Sequence, residues 1–211
     1  RLLIADEVGL GKTIEAGIVW LELEARQQAG RVIVVVPSML IPKWISEMKE
    51  RFGFDLVAHK RPELDAMLVA IENDHLPHRY HAIVSLETIR GWKGLQRMVD
   101  LDPRFDLVIV DEAHQMRNSN TASNTVGGLL SDWADALLFL TATPLNLGNR
   151  DLFNLLQLLD PGEFDDPAVF VDRLRPNSVL NRAGRSIVER KGDPSEALEI
   201  LKDLESFVFG P

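Results

Sequence analysis

Residues Ala5–Thr13 read ADEVGLGKT, an order of residue types suited to gripping phosphate. Glycines at positions 9 and 11 let the backbone turn its N–H groups onto an anion, and unpaired amides at the start of a following helix add to them. Lys12 can reach the terminal phosphates of a nucleotide, and the Thr13 hydroxyl can hold magnesium. Asp6 stands where the general pattern G-x-x-x-x-G-K-[ST] has its first glycine. Alone, the stretch admits two readings. One is a phosphate loop built from Asp6, Glu7, Val8, Gly9, Leu10, Gly11, Lys12 and Thr13; the other is a strand–turn–helix with a chance GKT.

Two later stretches bear on the choice. Asp111-Glu112-Ala113-His114 closes the apolar run Phe105–Val110. Asp111 can hold magnesium opposite Thr13, and Glu112 can orient and deprotonate an attacking water. The plain alternative is a charged strand end in solvent. Thr141-Ala142-Thr143-Pro144 closes the run Ala136–Leu140. Its hydroxyls can bond the acidic loop and relay the state of a nucleotide, or it is an ordinary Thr-Pro turn. Transfer of a γ-phosphoryl group requires neutralised charge and a placed nucleophile. Lys12, magnesium and loop amides meet the first need and Glu112 the second. No arginine has an obvious claim to the remaining role of cationic finger.

The elements between these stretches must bring them together. Leu2–Ala5 reads as a buried strand, and the helix after it begins near Thr13 and continues through Ile14, Ile18 and Leu21. Val32–Val36 is unbroken and β-branched, as in a strand buried on both faces of a parallel sheet. Leu40, Ile41, Trp44, Ile45, Met48 and Phe52 recur at helical spacing, with Gly53 as a stop. At that spacing Trp44 reads as core. Asp55–Ala58 is a short strand and Leu64–Ile71 a helix. The polar, proline-containing stretch from Glu72 to Tyr80 is a loop, His81–Ser85 another strand, and a weaker helical stretch runs through Met98. Arg117–Ser123 reads as a mobile loop, Thr125–Trp133 as a helix and Arg150–Leu159 as another. Alternating strands and helices predict an α/β fold, mostly parallel, with helices on both faces. The loops at Asp6–Thr13, Asp111–His114 and Thr141–Pro144 then all lie at the carboxyl ends of strands, where such sheets bind ligands, with Lys12 and Glu112 on neighbouring tips. After Gly162 the pattern becomes helical, at Phe164–Leu174 and Val179–Arg190. Asp193-Pro194-Ser195-Glu196 then forms a helix start ahead of Leu198, Leu201, Leu204 and Val208. Residues 1–164 are read as one domain and 165–211 as an appendage.

The 211 residues are 45% hydrophobic, enough for a sizeable core, and carry a net charge of −9. That sign excludes a simple basic nucleic-acid binder, so any such contact must be local. The absence of cysteine excludes disulfides and thiolate metal sites and fits the cytoplasm. No apolar run is of membrane-spanning length and no signal peptide is present. His75, His78 and His81 are three apart, but Pro77 breaks a common helical face, so they read as surface loop rather than metal site. Because Arg1 lies one step from a core strand, the chain is read as a piece of a longer one.

In this order, ADEVGLGKT, DEAH and TATP resemble motifs I, II and III of superfamily-two helicases. The finer text is similar to Swi/Snf-type double-stranded-DNA translocases. LIADEVGLGKTIEAG carries their aspartate in place of the first loop glycine; VVVPSMLIPKWISEMKERF resembles motif Ia and IVSLETIR motif Ib. LTATPLNLGNRDLFNLLQLLDPGEF resembles motif III and its helix. The wording is nearest the bacterial, RNA-polymerase-associated (RapA-like) branch. The resemblance spans Arg1–Phe164 and does not clearly cover the tail. It implies the first of two RecA-like lobes, an ATP hydrolase using ATP and Mg2+. It further implies His114 coupled to Thr141 and Thr143, duplex DNA passing near Pro37, Ser38, Lys43, Ser85 and Leu86, and RNA polymerase or another DNA-bound protein as partner. A strand-separating helicase, a defence motor and a nucleotide-dependent clamp without turnover are the competing readings. The family's adenine-reading segment and second lobe with its arginine finger lie outside this sequence. The fragment is therefore expected to bind ATP weakly and to turn over very slowly.

Overall fold

The computed structural model describes residues 1–7, 9–142, 149–189 and 194–202. The chain divides into two compact units, Arg1–Glu163 and Phe164–Pro211.

Six strands form the sheet of the first unit: β1 (Leu2–Ile4), β2 (Arg31–Val36), β3 (Val57–His59), β4 (Tyr80–Ser85), β5 (Phe105–Val110) and β6 (Ala134–Leu140). Their order is β1-β6-β5-β2-β4-β3, and every pairing is parallel. All carboxyl ends therefore meet one edge of the sheet. Contrary to the expectation of neighbouring tips, β1 and β5 are separated by β6. β1 is an edge strand rather than a buried one, and its Leu2 is 46% exposed.

Side chains alternate between two cores, as a strand period of two requires. Val32, Val34, Val36, Ile109 and Leu138 join one core with α1 (Lys12–Ala25) and α2 (Ile41–Phe52). Ile33, Val35, Val108, Val110 and Phe139 join the other with α3 (Arg61–Glu72), α4 (Leu86–Arg90), α5 (Leu95–Leu101), α6 (Ala122–Trp133) and α7 (Asn149–Leu159). In α1 the buried residues are Ala16, Gly17 and Trp20, whereas Ile18 and Leu21 face solvent. Besides Trp20, the buried stripe of this helix runs through the small Ala16 and Gly17, which apolar spacing alone does not mark. The reason is the close approach of α2: a Cβ at Gly17 would lie 2.1 Å from the Phe52 ring.

Other expectations also shift. The short strand falls at β3, two residues after Asp55. The helical stretch through Met98 is broken into α4 and α5. Arg117–Ser123 is tied down: the Arg117 guanidinium donates to His114 O, Asn154 Nδ2 donates to Arg117 O, and α6 has already begun at Ala122.

In the second unit, α8 (Pro167–Glu189) is one continuous helix where two were expected. Pro176 sits inside it, costing a backbone hydrogen bond without ending the helix. α9 (Pro194–Lys202) begins on its proline, the favoured position. Asp193, Leu204 and Val208 lie outside the described residues. No described helix is long and apolar enough to cross a membrane.

Candidate functional site

A cleft of about 320 Å³ opens at the carboxyl edge of the sheet. Gly9, Gly11, Lys12 and Thr13 form one side, and Asp111 and Glu112 form another. Leu40, Lys43 and Glu47 reach it from the start of α2, and Ala142 from the tip of β6. One concave surface thus gathers residues that are distant in sequence.

The loop is shaped by backbone. Gly9 and Gly11 have φ of 88° and 99°, a region costly for any residue with a Cβ. Gly11 caps α1, whose start has no side-chain cap, as an anion-binding helix end requires. The Lys12 ammonium donates to the carbonyls of Asp6 at 2.8 Å and Glu7 at 3.0 Å. The amine is held over the loop by neutral acceptors that a phosphate can replace. Asp6, Glu7 and Leu10 do not line the cleft, and Leu10 is 65% exposed. Val8 lies outside the described residues. Burial raises the Glu15 carboxyl above its ordinary range, and the charge of Asp6 beside it adds to the shift.

The acidic tip is shaped by side chains. Asp111 Oδ1 accepts from the Glu112 amide at 2.8 Å, and Oδ2 accepts from the Trp44 indole N–H at 2.9 Å. Glu112 itself adopts φ 52° and ψ 42°, a left-handed conformation uncommon for this residue. Its Oε2 is 3.0 Å from His114 Nδ1, an ion pair only when the imidazole is protonated, and has no hydrogen-bond partner although buried. An unsatisfied buried carboxylate oxygen beside a phosphate loop fits a water or phosphate-bound magnesium site. Thr13 and Asp111 are the residues that would hold such an ion.

His114 and Thr141 are close. The buried Thr141 hydroxyl is 3.5 Å from His114 Nδ1, and the Thr141 amide donates to Ile4 O on β1 at 3.0 Å. Thr143 lies outside the described residues. Among the residues assigned to nucleic acid, Pro37 and exposed Ser38 sit at the tip of β2, beside the tip of β4. Ser85 caps α4 by accepting from the Thr88 amide, and Leu86 is buried, so neither side chain is free for a ligand. Lys43 faces the cleft, near Glu47. His81 packs against Trp20 and Phe54, away from a shared site with His75 and His78. Among the described residues no group of three or more His, Cys, Asp or Glu could hold a metal.

Sequence reasoning missed Trp44 as a partner of Asp111, and Arg117, Asp151 and Asn154. Arg117 lies 3.2 Å from Asp151 on α7, and with Asn154 it links the segment after Glu112 to that helix. The available signal for Trp44 was chemical: a buried indole N–H needs an acceptor.

Comparison with known proteins follows the same lines. A family described as the SNF2-related domain matches residues 1–206, which takes in most of the tail. The RNA polymerase-associated protein RapA of Erwinia tasmaniensis is 35% identical over 97% of this chain, which spans 21% of that relative's length. The SWI2/SNF2 ATPase core of Sulfolobus solfataricus in complex with dsDNA superposes with a TM-score of 0.62 at 16% identity, over 99% of this chain and 38% of that one. The same organism's SWI2/SNF2 ATPase core domain gives 0.59 at 20% identity, over 97% and 37%. The Hef helicase domain of Pyrococcus furiosus gives 0.55 at 21%, over 74% and 32%. The structural likenesses establish a shared fold.

Proposed function

This chain belongs to the SNF2-related domain family, and from that premise we propose that it is the ATP-binding lobe of a motor that hydrolyses ATP to move along double-stranded DNA. The observation that carries the reading is the single cleft shared by Lys12, Thr13, Asp111 and Glu112. Lys12 exchanges its two carbonyl acceptors for phosphate oxygens, and the amides of the glycine loop enclose the remainder. Thr13 and Asp111 would hold magnesium, which would supply charge neutralisation at the phosphates. Glu112 orients a water and takes its proton as the water oxygen bonds to the γ-phosphorus; the bond to the β–γ bridging oxygen breaks and ADP leaves. His114 and Thr141 connect this step to β1 and β6. Duplex DNA is assigned to the surface near Pro37 and Ser38, with the side chains of Ser85 and Leu86 serving structure.

The relative's association with RNA polymerase, and the dsDNA in the solved Sulfolobus complex, support RNA polymerase and duplex DNA as partners for the whole protein. No arginine lines the cleft among the described residues, so turnover by this chain alone is slow. A fluorescent ATP analogue tests the reading: binding is Mg2+-dependent and falls with Lys12→Ala. Failure to bind, or binding indifferent to Lys12, overturns it. Robust DNA-stimulated hydrolysis by residues 1–211 alone would count against the two-lobe arrangement. Strand separation by the full-length protein would replace translocation with unwinding.

A further inference from the structure

We propose that Trp44 is a positioning residue for the metal-binding carboxylate, its indole N–H fixing Asp111 in the orientation that presents it to the cleft; this rests on the nucleotide reading above. Trp44 is only 1% exposed, within the core between α1, α2 and the sheet. Packing explains the ring but not the direction of its N–H. Trp20, in the same core and fully buried, has no hydrogen-bond partner for its indole nitrogen among the described residues, so burial in this core does not by itself deliver an indole N–H to an aspartate. Trp92 sends its indole N–H to Asp65, which does not line the cleft. The Trp44 indole instead meets Oδ2 of the one aspartate at the tip of β5, at 2.9 Å. Oδ1 of the same carboxylate is held by the Glu112 amide at 2.8 Å. With one bond on each oxygen, rotation of the carboxylate is arrested, and the remaining lone pairs are free for a ligand. Partners that orient a ligating side chain from behind change metal affinity substantially.

Trp44→Phe keeps an aromatic ring and removes the N–H. Titrating Mg2+ against a fixed fluorescent ATP analogue, we expect the variant to need about tenfold more Mg2+ for half-maximal binding, with metal-free binding unchanged. An unchanged Mg2+ requirement, or equal loss of metal-free and metal-dependent binding, overturns the proposal; the second outcome makes Trp44 a packing residue only. If the unaltered chain binds no nucleotide at any Mg2+ concentration, the nucleotide reading itself fails. A second measurement leaves the tryptophan in place. The chain has four tryptophans, so indole ¹⁵N–¹H resonances are few and assignable. In Asp111→Ala the Trp44 indole resonance shifts upfield and exchanges faster with solvent, while that of Trp92 stays. A Trp44 resonance that does not respond to Asp111→Ala sinks the proposal independently of nucleotide.

Discussion

The phosphate loop and the acidic tip share one cleft but are held in opposite ways. The loop hangs between a three-residue edge strand and a helix, shaped by two glycines and by a lysine bound to its own carbonyls. The acidic tip rises from β5, a six-residue strand paired on both sides, and its carboxylate is pinned by an indole and an amide. A group that wraps an anion with amides needs backbone freedom. Carboxylates that place a metal and a water need fixed side chains. The loop should therefore be sensitive to backbone changes, and the tip to the chemistry of its side chains.

The sharpest test is on the tip. Glu112→Gln in the full-length protein should lower turnover by about 10²–10⁴-fold while sparing ATP binding, as loss of a general base does. Hydrolysis that survives would break the comparison at its chemical end. On the loop, Gly11→Ala forces a Cβ into φ 99°. We expect a stability loss of about 1–2 kcal/mol in denaturant unfolding, with weaker nucleotide binding. A neutral result would mean the loop does not depend on its glycine. Next, Glu112→Gly should be more stable than Glu112→Gln by up to about 1 kcal/mol, because glycine relieves the left-handed conformation at this position. Equal stabilities would remove the claim that the tip stores strain. The smallest effect belongs to Glu15. Its carboxyl holds a proton in the folded state that the unfolded chain releases at the ordinary value of 4.5. Its contribution is therefore full below that value and declines as pH rises through the raised one. Glu15→Gln should flatten that decline in pH-dependent melting, and an unchanged slope would mean that burial does not raise the Glu15 carboxyl.

The fold was largely legible because buried parallel strands write themselves as apolar runs: Val32–Val36 and Phe105–Val110 fall within the strands observed. The helix periods of α2 and α7 were equally plain. What stayed hidden depends on packing between distant segments. Strand order cannot be read from one chain, so the insertion of β6 between β1 and β5 was invisible. The stripe Ala16-Gly17-Trp20 was missed because two of its residues are small, and at Gly17 the close approach of Phe52 leaves no room for a side chain. Pro176 is a helix breaker locally, yet α8 runs through it. At the site, the chemistry-bearing residues were legible by type, whereas the Trp44 bond to Asp111 and the position of Lys43 at the cleft required knowing how α2 lies on the sheet.

One pairing has a consequence for how the chain is made. Among the described residues the only strand that β1 joins is β6, whose residues 134–140 come more than a hundred positions later. During synthesis the glycine loop emerges well before β6 and, among the described strands, has none to dock on until Leu140 has left the ribosome. Within this unit the cleft is therefore among the last features to set, and a nascent chain halted before that point offers a ligand no complete seat.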